Sequence, residues 1–296
     1  MDQITISLVS PAYVCLPVWV AQARRFFLDR EIEATLKIEG NTDRTTAAVV
    51  KGASQLGFCA AEGFIADAAA GGVARIVAAN ADKAPLALVA QPEIETIADL
   101  RGKRIGTSSL GEGTATIIKK ILAAHGLAFP GDYELVLAGI HPARWEALQA
   151  GTIDAALQLV PYDYIAEEAG YQILAQASEY VPGFAFCTIG ANRDWAEANR
   201  ALTVRALAAI RDATHWADTH REDAAEILAG ATDTDIGHAL RGVNAMLDQR
   251  LISYDLTPER ASIEAIFSVM REVELVPRDR ALNFDECVDV SFVEAI

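Results

Sequence analysis

Cys15 is the residue whose type and position could support covalent chemistry. It follows an alternating apolar run, Gln3 to Val9, that stops at Ser10-Pro11, and it precedes a helix-like stretch. The dipole of that helix would lower the thiol pKa, and a thiolate there could act as nucleophile or proton carrier. The competing reading is packing, because a free cysteine behaves as a small buried hydrophobe. Cys59 and Cys187 lie inside apolar strand-like runs and read as core. With Cys287 the four thiols are widely separated and lack a CxxC pairing, which fits reduced, packed cysteines better than a disulfide framework.

A second kind of chemistry is polar capture. Ser108-Ser109-Leu110-Gly111-Glu112-Gly113-Thr114 places hydroxyls and glycine-permitted backbone just before a helix, as a cradle for an anion or carboxamide would. An ordinary helix-capping loop has the same composition. Asn41 to Thr45, with Thr42 at its centre, carries the same two readings. Glu62 follows a strand and could bind an amine or act as a base, or simply favour a helix N-terminus. Tyr13 and Tyr162 could stack on an aromatic ligand, whereas Trp19 lies on a helix face and reads as core. The histidines at 125, 141, 215, 220 and 238 are scattered. His215 and His220 are five apart, not the four that put two ligands on one helix face, so no metal is expected. GxSxG, Walker and GxGxxG patterns are missing, so no cofactor is expected either.

The elements that must position these residues alternate. Strand patterns fall at Gln3 to Val9, Ala34 to Ile38, Gln55 to Cys59 and Ala74 to Asn80. Helical patterns run from Pro17 to Leu28, Arg44 to Lys51 and Ala60 to Ala70. This order predicts a mainly parallel sheet with helices on both faces. A second α/β block follows, with strands at Leu86 to Ala90, Arg104 to Thr107, Tyr133 to Val136 and Ala155 to Val160. Its helices are predicted over Thr114 to His125, Pro142 to Ala150 and Tyr162 to Ala169. After an apolar strand-like stretch from Phe184 to Ala191, helices dominate: Asp194 to Ala217, Arg221 to Leu228, Asp233 to Leu247 and Pro258 to Val273.

Composition narrows the function. With 296 residues, 52% hydrophobic and 22% charged, the chain can bury a sizeable core. A formal net charge of −16 argues against nucleic acid or an anionic membrane surface as partner. No window approaches the roughly 18 unbroken apolar residues of a membrane span. The segment Met1-Asp2-Gln3 leads straight into alternating residues without a signal-peptide pattern. The expected location is therefore cytoplasmic as written, or periplasmic or cell-surface if the sequence is a trimmed export product.

Three segments carry a family resemblance. Pro17-Val18-Trp19-Val20-Ala21-Gln22 leading to Phe26-Phe27 resembles "P-x-y-V-A-x-x-x-G-F-F". Ile97-Ala98-Asp99-Leu100-Arg101-Gly102-Lys103-Arg104-Ile105-Gly106 resembles "S-x-x-D-L-K-G-K-x-I-G". Ala147-Leu148-Gln149-Ala150-Gly151-Thr152-Ile153-Asp154-Ala155 is similar to "A-L-x-x-G-x-V-D-A", with Pro161-Tyr162 just behind it. Together, in this order, they resemble the sulfonate, taurine and thiamine-precursor binding proteins of the SsuA and NMT1/THI5-like group. The resemblance implies a two-lobed, periplasmic-binding-protein-like (type II) α/β fold crossed twice by the chain. Lobe 1 would hold residues 1–82 plus 185–296, and lobe 2 residues 83–184.

Ligands in open α/β sheets lie beyond the carboxyl ends of strands, against helix N-termini. On this fold that rule selects Ser10, Tyr13, Cys15, Thr42, Glu62, Ser108, Ser109, Gly113, Thr114, Gln158 and Tyr162 as ligand-binding candidates. The implied function is capture of a sulfonate, aromatic acid or pyrimidine-like solute by hinge closure. The protein would be a monomer that feeds the permease of an ABC importer. The alternative is a cytosolic desulfinase- or decarboxylase-like lyase on the same scaffold, using Cys15. Against it, the arginine-glycine-glycine run of the desulfinase is replaced here by Phe58-Cys59-Ala60-Ala61-Glu62. A third reading is a cytosolic ligand sensor.

Overall fold

The structure is a computed structural model that describes every residue except 109, 111–113, 273–274 and 278. The chain divides into two compact units, residues 1–83 with 183–296, and residues 84–182.

In chain order the first unit opens with β1 (Asp2–Leu8), α1 (Leu16–Ala23), β2 (Ile32–Ile38), α2 (Thr42–Val50), β3 (Leu56–Cys59), α3 (Ala61–Ala69) and β4 (Ala74–Ala81). The second unit contains β5 (Leu86–Ala90), β6 (Arg104–Thr107), α4 (Thr114–Ala124), β7 (Glu134–Leu137), α5 (His141–Gln149), β8 (Ala155–Leu159), α6 (Tyr162–Glu168), β9 (Gln172–Gln176) and α7 (Ala177–Tyr180). The chain then returns to the first unit through β10 (Cys187–Asn192). It finishes with α8 (Arg193–Ala198), α9 (Arg200–Thr219), α10 (Arg221–Thr232), α11 (Ile236–Asp248), α12 (Arg260–Glu272) and α13 (Phe284–Cys287).

The sheet of the first unit has the order β2-β1-β3-β10-β4. Alternation in β1 buries Ile4, Ile6 and Leu8, and the strand pairs in parallel with β2 and β3. β10 returns from the second unit and inserts antiparallel between β3 and β4. The second sheet, β7-β6-β8-β5-β9, repeats the pattern: β6 pairs in parallel with β7 and β8, while the entering strand β5 is antiparallel to β8 and β9. Both sheets are thus mixed, where the βαβα pattern alone predicts mainly parallel ones. The antiparallel strands β10 and β5 are those that follow the two crossings, and β5 also pairs with β9, a strand that the sequence pattern does not reveal.

Two helices are shorter than their periodicity suggests. The helix predicted through Leu28 ends at Ala23, because Arg25 takes a left-handed φ of 66° and the N–H of Phe26 bonds back to Ala21. The run from Asp194 to Ala217 is broken at Asn199, whose side-chain amide donates to the Trp195 carbonyl at 2.9 Å.

Close approach explains one pair of glycines. Gly57 of β3 and Gly190 of β10 are register partners, and the Phe64 ring of α3 lies over both. A Cβ on Gly190 would stand 2.3 Å from ring carbons of Phe64, so only glycine lets α3 descend to the sheet. In the second unit Val89, Trp145, Leu148, Ile153 and Ala156 form the core between sheet and helices, and Tyr171 meets the Trp145 indole edge-on at 5.0 Å.

The resemblance segment from Ile97 to Gly106 has an architectural role. Asp99 closes a capping box on Thr96, accepting from its N–H at 2.9 Å and its hydroxyl at 2.7 Å. Arg104 meets Asp154, with its backbone N–H at 2.7 Å and its Nε at 3.1 Å from Oδ2. Two of the three resemblance segments are therefore tied to each other. No helix among the described residues is long and apolar enough to cross a membrane.

Candidate functional site

The strand exits of the first unit gather several of the expected residues. Tyr13 is 1% exposed, and its hydroxyl shares a 2.7 Å hydrogen bond with Thr234 Oγ1, so the ring is packed and oriented from below. Ser10 is buried just before it. Thr42 is half-buried at the start of α2, where Asn41 caps the helix by accepting from Arg44 N–H at 2.8 Å. Glu62 is buried in the first turn of α3, close enough to Cys59 for its charge to push that thiol pKa upward.

Cys15 follows the packing reading and not that of an activated thiolate. It does sit at the N-terminal end of α1, but it is 4% exposed, and burial pushes its thiol up to about 12 against a smaller opposing hydrogen bond from Ala12. Desolvation outweighs the helix dipole, whose effect is a fraction of a kcal/mol to about 2 kcal/mol. Cys59 and Cys187 are buried as expected of core residues, with thiols likewise raised by burial. The charge of a Cys15 or Cys59 thiolate would raise Cys187 further, so the three thiols share one neighbourhood.

Asn80, which sequence reasoning missed, lies against this neighbourhood. It is fully buried on β4, donates from Nδ2 to the Val14 carbonyl at 2.7 Å and contacts the Cys187 thiol. Its Oδ1 has no hydrogen-bond partner. An asparagine following the apolar run Ile76 to Ala79 was the available signal.

In the second unit the exit of β6 and the entry of α4 form a hydroxyl cluster. Thr114 Oγ1 lies 2.8 Å from Thr107 Oγ1 and 3.3 Å from Ser108 Oγ, and the Ser108 N–H points at it from 3.4 Å. Ser108 is exposed, whereas Thr107 and Thr114 are buried. Ser109 and Gly113, also expected in this loop, lie outside the described residues. Beneath Thr114 stands Arg144 of α5, 1% exposed, donating from Nη1 to Thr114 Oγ1 at 3.3 Å. Its Nη2 lies 2.5 Å from His141 Nδ1, which also accepts from the Leu159 N–H at 3.1 Å. Burial, and secondarily the Arg144 charge, hold the His141 pKa well below its ordinary value, so the ring is neutral. Burial also pulls Arg144 down to about 9, which leaves it charged at neutral pH.

Gln158 and Tyr162 lie on β8 and at the start of α6. Gln158 is fully buried on β8; the amide orientation that satisfies both of its ends has the nitrogen donating to the His141 carbonyl at 3.3 Å and the oxygen accepting from the Trp145 N–H at 3.1 Å, in the first turn of α5. Tyr162 packs its ring on the core around Trp145. Arg144 itself was not predicted, since a single arginine in His141–Gln149 reads as a solvated helix face. Among the described residues no group of three or more His, Cys, Asp or Glu could hold a metal ion.

Beyond these strand exits, a groove of about 620 Å³ runs along the first unit between α1, β2 and α10. Trp19, Leu36 and Ile227 are in its wall, so Trp19 lines a surface groove instead of lying wholly in the core.

The sequence pattern described as NMT1/THI5 like matches residues 13–224. The chain belongs to the NMT1/THI5-like family. Among curated protein sequences none matches it. Solved structures similar to this NMT1/THI5-like protein include the alkanesulfonate-binding protein SsuA from Xanthomonas axonopodis pv. citri bound to MOPS. That likeness has a TM-score of 0.80 at 18% identity over 98% of this chain and 99% of the other. The periplasmic nitrate-binding protein NrtA from Synechocystis PCC 6803 matches with a TM-score of 0.84 at 12% identity, over 100% of this chain and 88% of the other. The desulfurization enzyme DSZB matches with 0.71 at 16% identity, over 100% and 98%. At these identities the likeness establishes the fold, a type II periplasmic-binding-protein-like architecture shared by binding proteins and an enzyme.

Proposed function

We propose that this NMT1/THI5-like protein captures a small solute and delivers it to the permease of an ABC importer. The solute class is a sulfonate, an aromatic acid or a pyrimidine-like compound. The observation that carries the reading is the hydroxyl cluster of Thr107, Ser108 and Thr114, placed where β6 ends and α4 begins. The SsuA and NrtA likenesses supply the transport context. Burial of Cys15, with a thiol pKa near 12, speaks against the lyase suggested by the DSZB likeness. Closure of the two units on the solute, export to the periplasm and a monomeric state belong to the same proposal.

Calorimetry with ethanesulfonate, benzoate and cytosine, paired with small-angle scattering and product analysis, tests it. Saturable binding of one compound with a smaller radius of gyration and no turnover is the expected outcome. Turnover of any of them, or a panel of this chemistry that leaves the protein wholly unaffected, would sink the proposal.

A further inference from the structure

Arg144 poses a question of charge. Its guanidinium is 1% exposed, yet its two described partners are neutral: the Thr114 hydroxyl and a His141 ring held unprotonated. Its Nε has no hydrogen-bond partner, and no carboxylate pairs with it among the described residues. Elsewhere in the unit arginines do find acids: Arg104 bonds Asp154 and Arg101 bonds Asp132. A buried cation without a counter-ion is costly, and such groups are ordinarily paired.

The direction of the hydrogen bonds says where the compensation would come from. Arg144 and the Ser108 N–H both donate towards Thr114 Oγ1, so the Thr114 hydroxyl proton is left to donate, with Thr107 and Ser108 as its hydroxyl partners among the described residues. A hydroxyl that accepts from a guanidinium is polarised and becomes a stronger donor. Thr114 is also the first residue of α4, an 11-residue helix whose dipole favours negative charge at the same end.

We propose that the corner formed by Thr107, Ser108 and the start of α4 binds the anionic group of the solute, with Arg144 supplying the balancing charge from beneath through Thr114. This rests on the solute-binding reading and narrows it: an organic anion is preferred to a neutral pyrimidine. Ser108, exposed above Thr114, is the direct donor; Arg144 and His141 are positioning residues. Gln158 supports them by fixing the first turn of α5.

The test is titration calorimetry on the full chain with sulfate, nitrate, ethanesulfonate and benzoate, against benzamide and cytosine as neutral probes. Wild type is expected to bind at least one anion saturably and to ignore benzamide. Arg144→Gln should weaken that anion at least about tenfold, the usual scale for losing a charge-assisted contact, and Arg144→Lys should retain part of it. Circular dichroism melting checks that the variants fold, and the benzoate–benzamide contrast in wild type needs no variant at all. Failure of every anion in the set overturns the inference. Anion binding that appears only in Glu112→Gln, the variant of the sequence-neighbouring acid, also overturns it, because the charge would then already be neutralised within the chain. Cytosine binding equally to wild type and Arg144→Gln overturns it too, while leaving solute capture intact.

Discussion

The Tyr13 hydroxyl meets Thr234 Oγ1 at 2.7 Å across a sequence separation of 221 residues. This bond ties the segment after β1 to the turn between α10 and α11, where Thr234 also bonds Thr232 at 2.8 Å. The Tyr13 hydroxyl thus holds two distant parts of the first unit together. Tyr13→Phe should lower unfolding stability by about 1 kcal/mol, the scale of one intramolecular hydrogen bond in a buried setting. Urea denaturation with an unchanged m-value would measure it. A neutral effect would mean that the bond contributes nothing net.

The thiols should be inert in the folded state. With its pKa pushed to about 12, Cys15 holds about one part in ten thousand as thiolate at pH 8. Since alkylation proceeds through the thiolate, iodoacetamide should label Cys15 far more slowly in native protein than after unfolding in guanidinium. Cys59 and Cys187 should behave alike, being equally buried. Rapid native labelling at Cys15, read by mass spectrometry, would restore the lyase alternative.

Asp82 should make stability depend on pH. It is partly buried at the end of the first segment of unit 1. Burial first, then the carboxylates of Glu259 and Asp255, raise it from 3.8 to about 6. Its Oδ1 has no hydrogen-bond partner. The folded protein therefore holds this proton more tightly than the unfolded chain. The associated stabilisation is complete below about pH 4 and is lost as pH rises through 6. Asp82→Asn removes the ionisation penalty, so the variant should be more stable than wild type by about 2 kcal/mol at pH 7.5. The difference should shrink towards zero near pH 4. Thermal melts of both proteins from pH 4 to 8 would show the convergence; parallel curves would place the charge of Asp82 in a solvated setting.

Much of the architecture could be read from short-range signals. Alternation in Ile4, Ile6 and Leu8 declares β1, and Asn41 declares the start of α2, because such signals act within a few residues. Asp99 closes on Thr96 three residues away, so the segment from Ile97 to Gly106 carries its own local structure wherever it is placed. The family resemblance rested on segments of this kind. Two of them are joined to each other through the Arg104–Asp154 bond.

What folding in three dimensions alone decided is burial and direction. The chain pattern does not say that β10 and β5 run against their neighbours, since each pairs with strands far away in sequence. It leaves Cys15 between an activated thiolate and a packed thiol, and burial decides for the second. It does not single out Arg144, and the packing of α5 against β8 and α4 leaves that charge covered and, among the described residues, bonded to neutral groups. Electrostatic character follows from the summed surroundings of a side chain, and those surroundings are assembled from elements that sequence neighbours cannot specify.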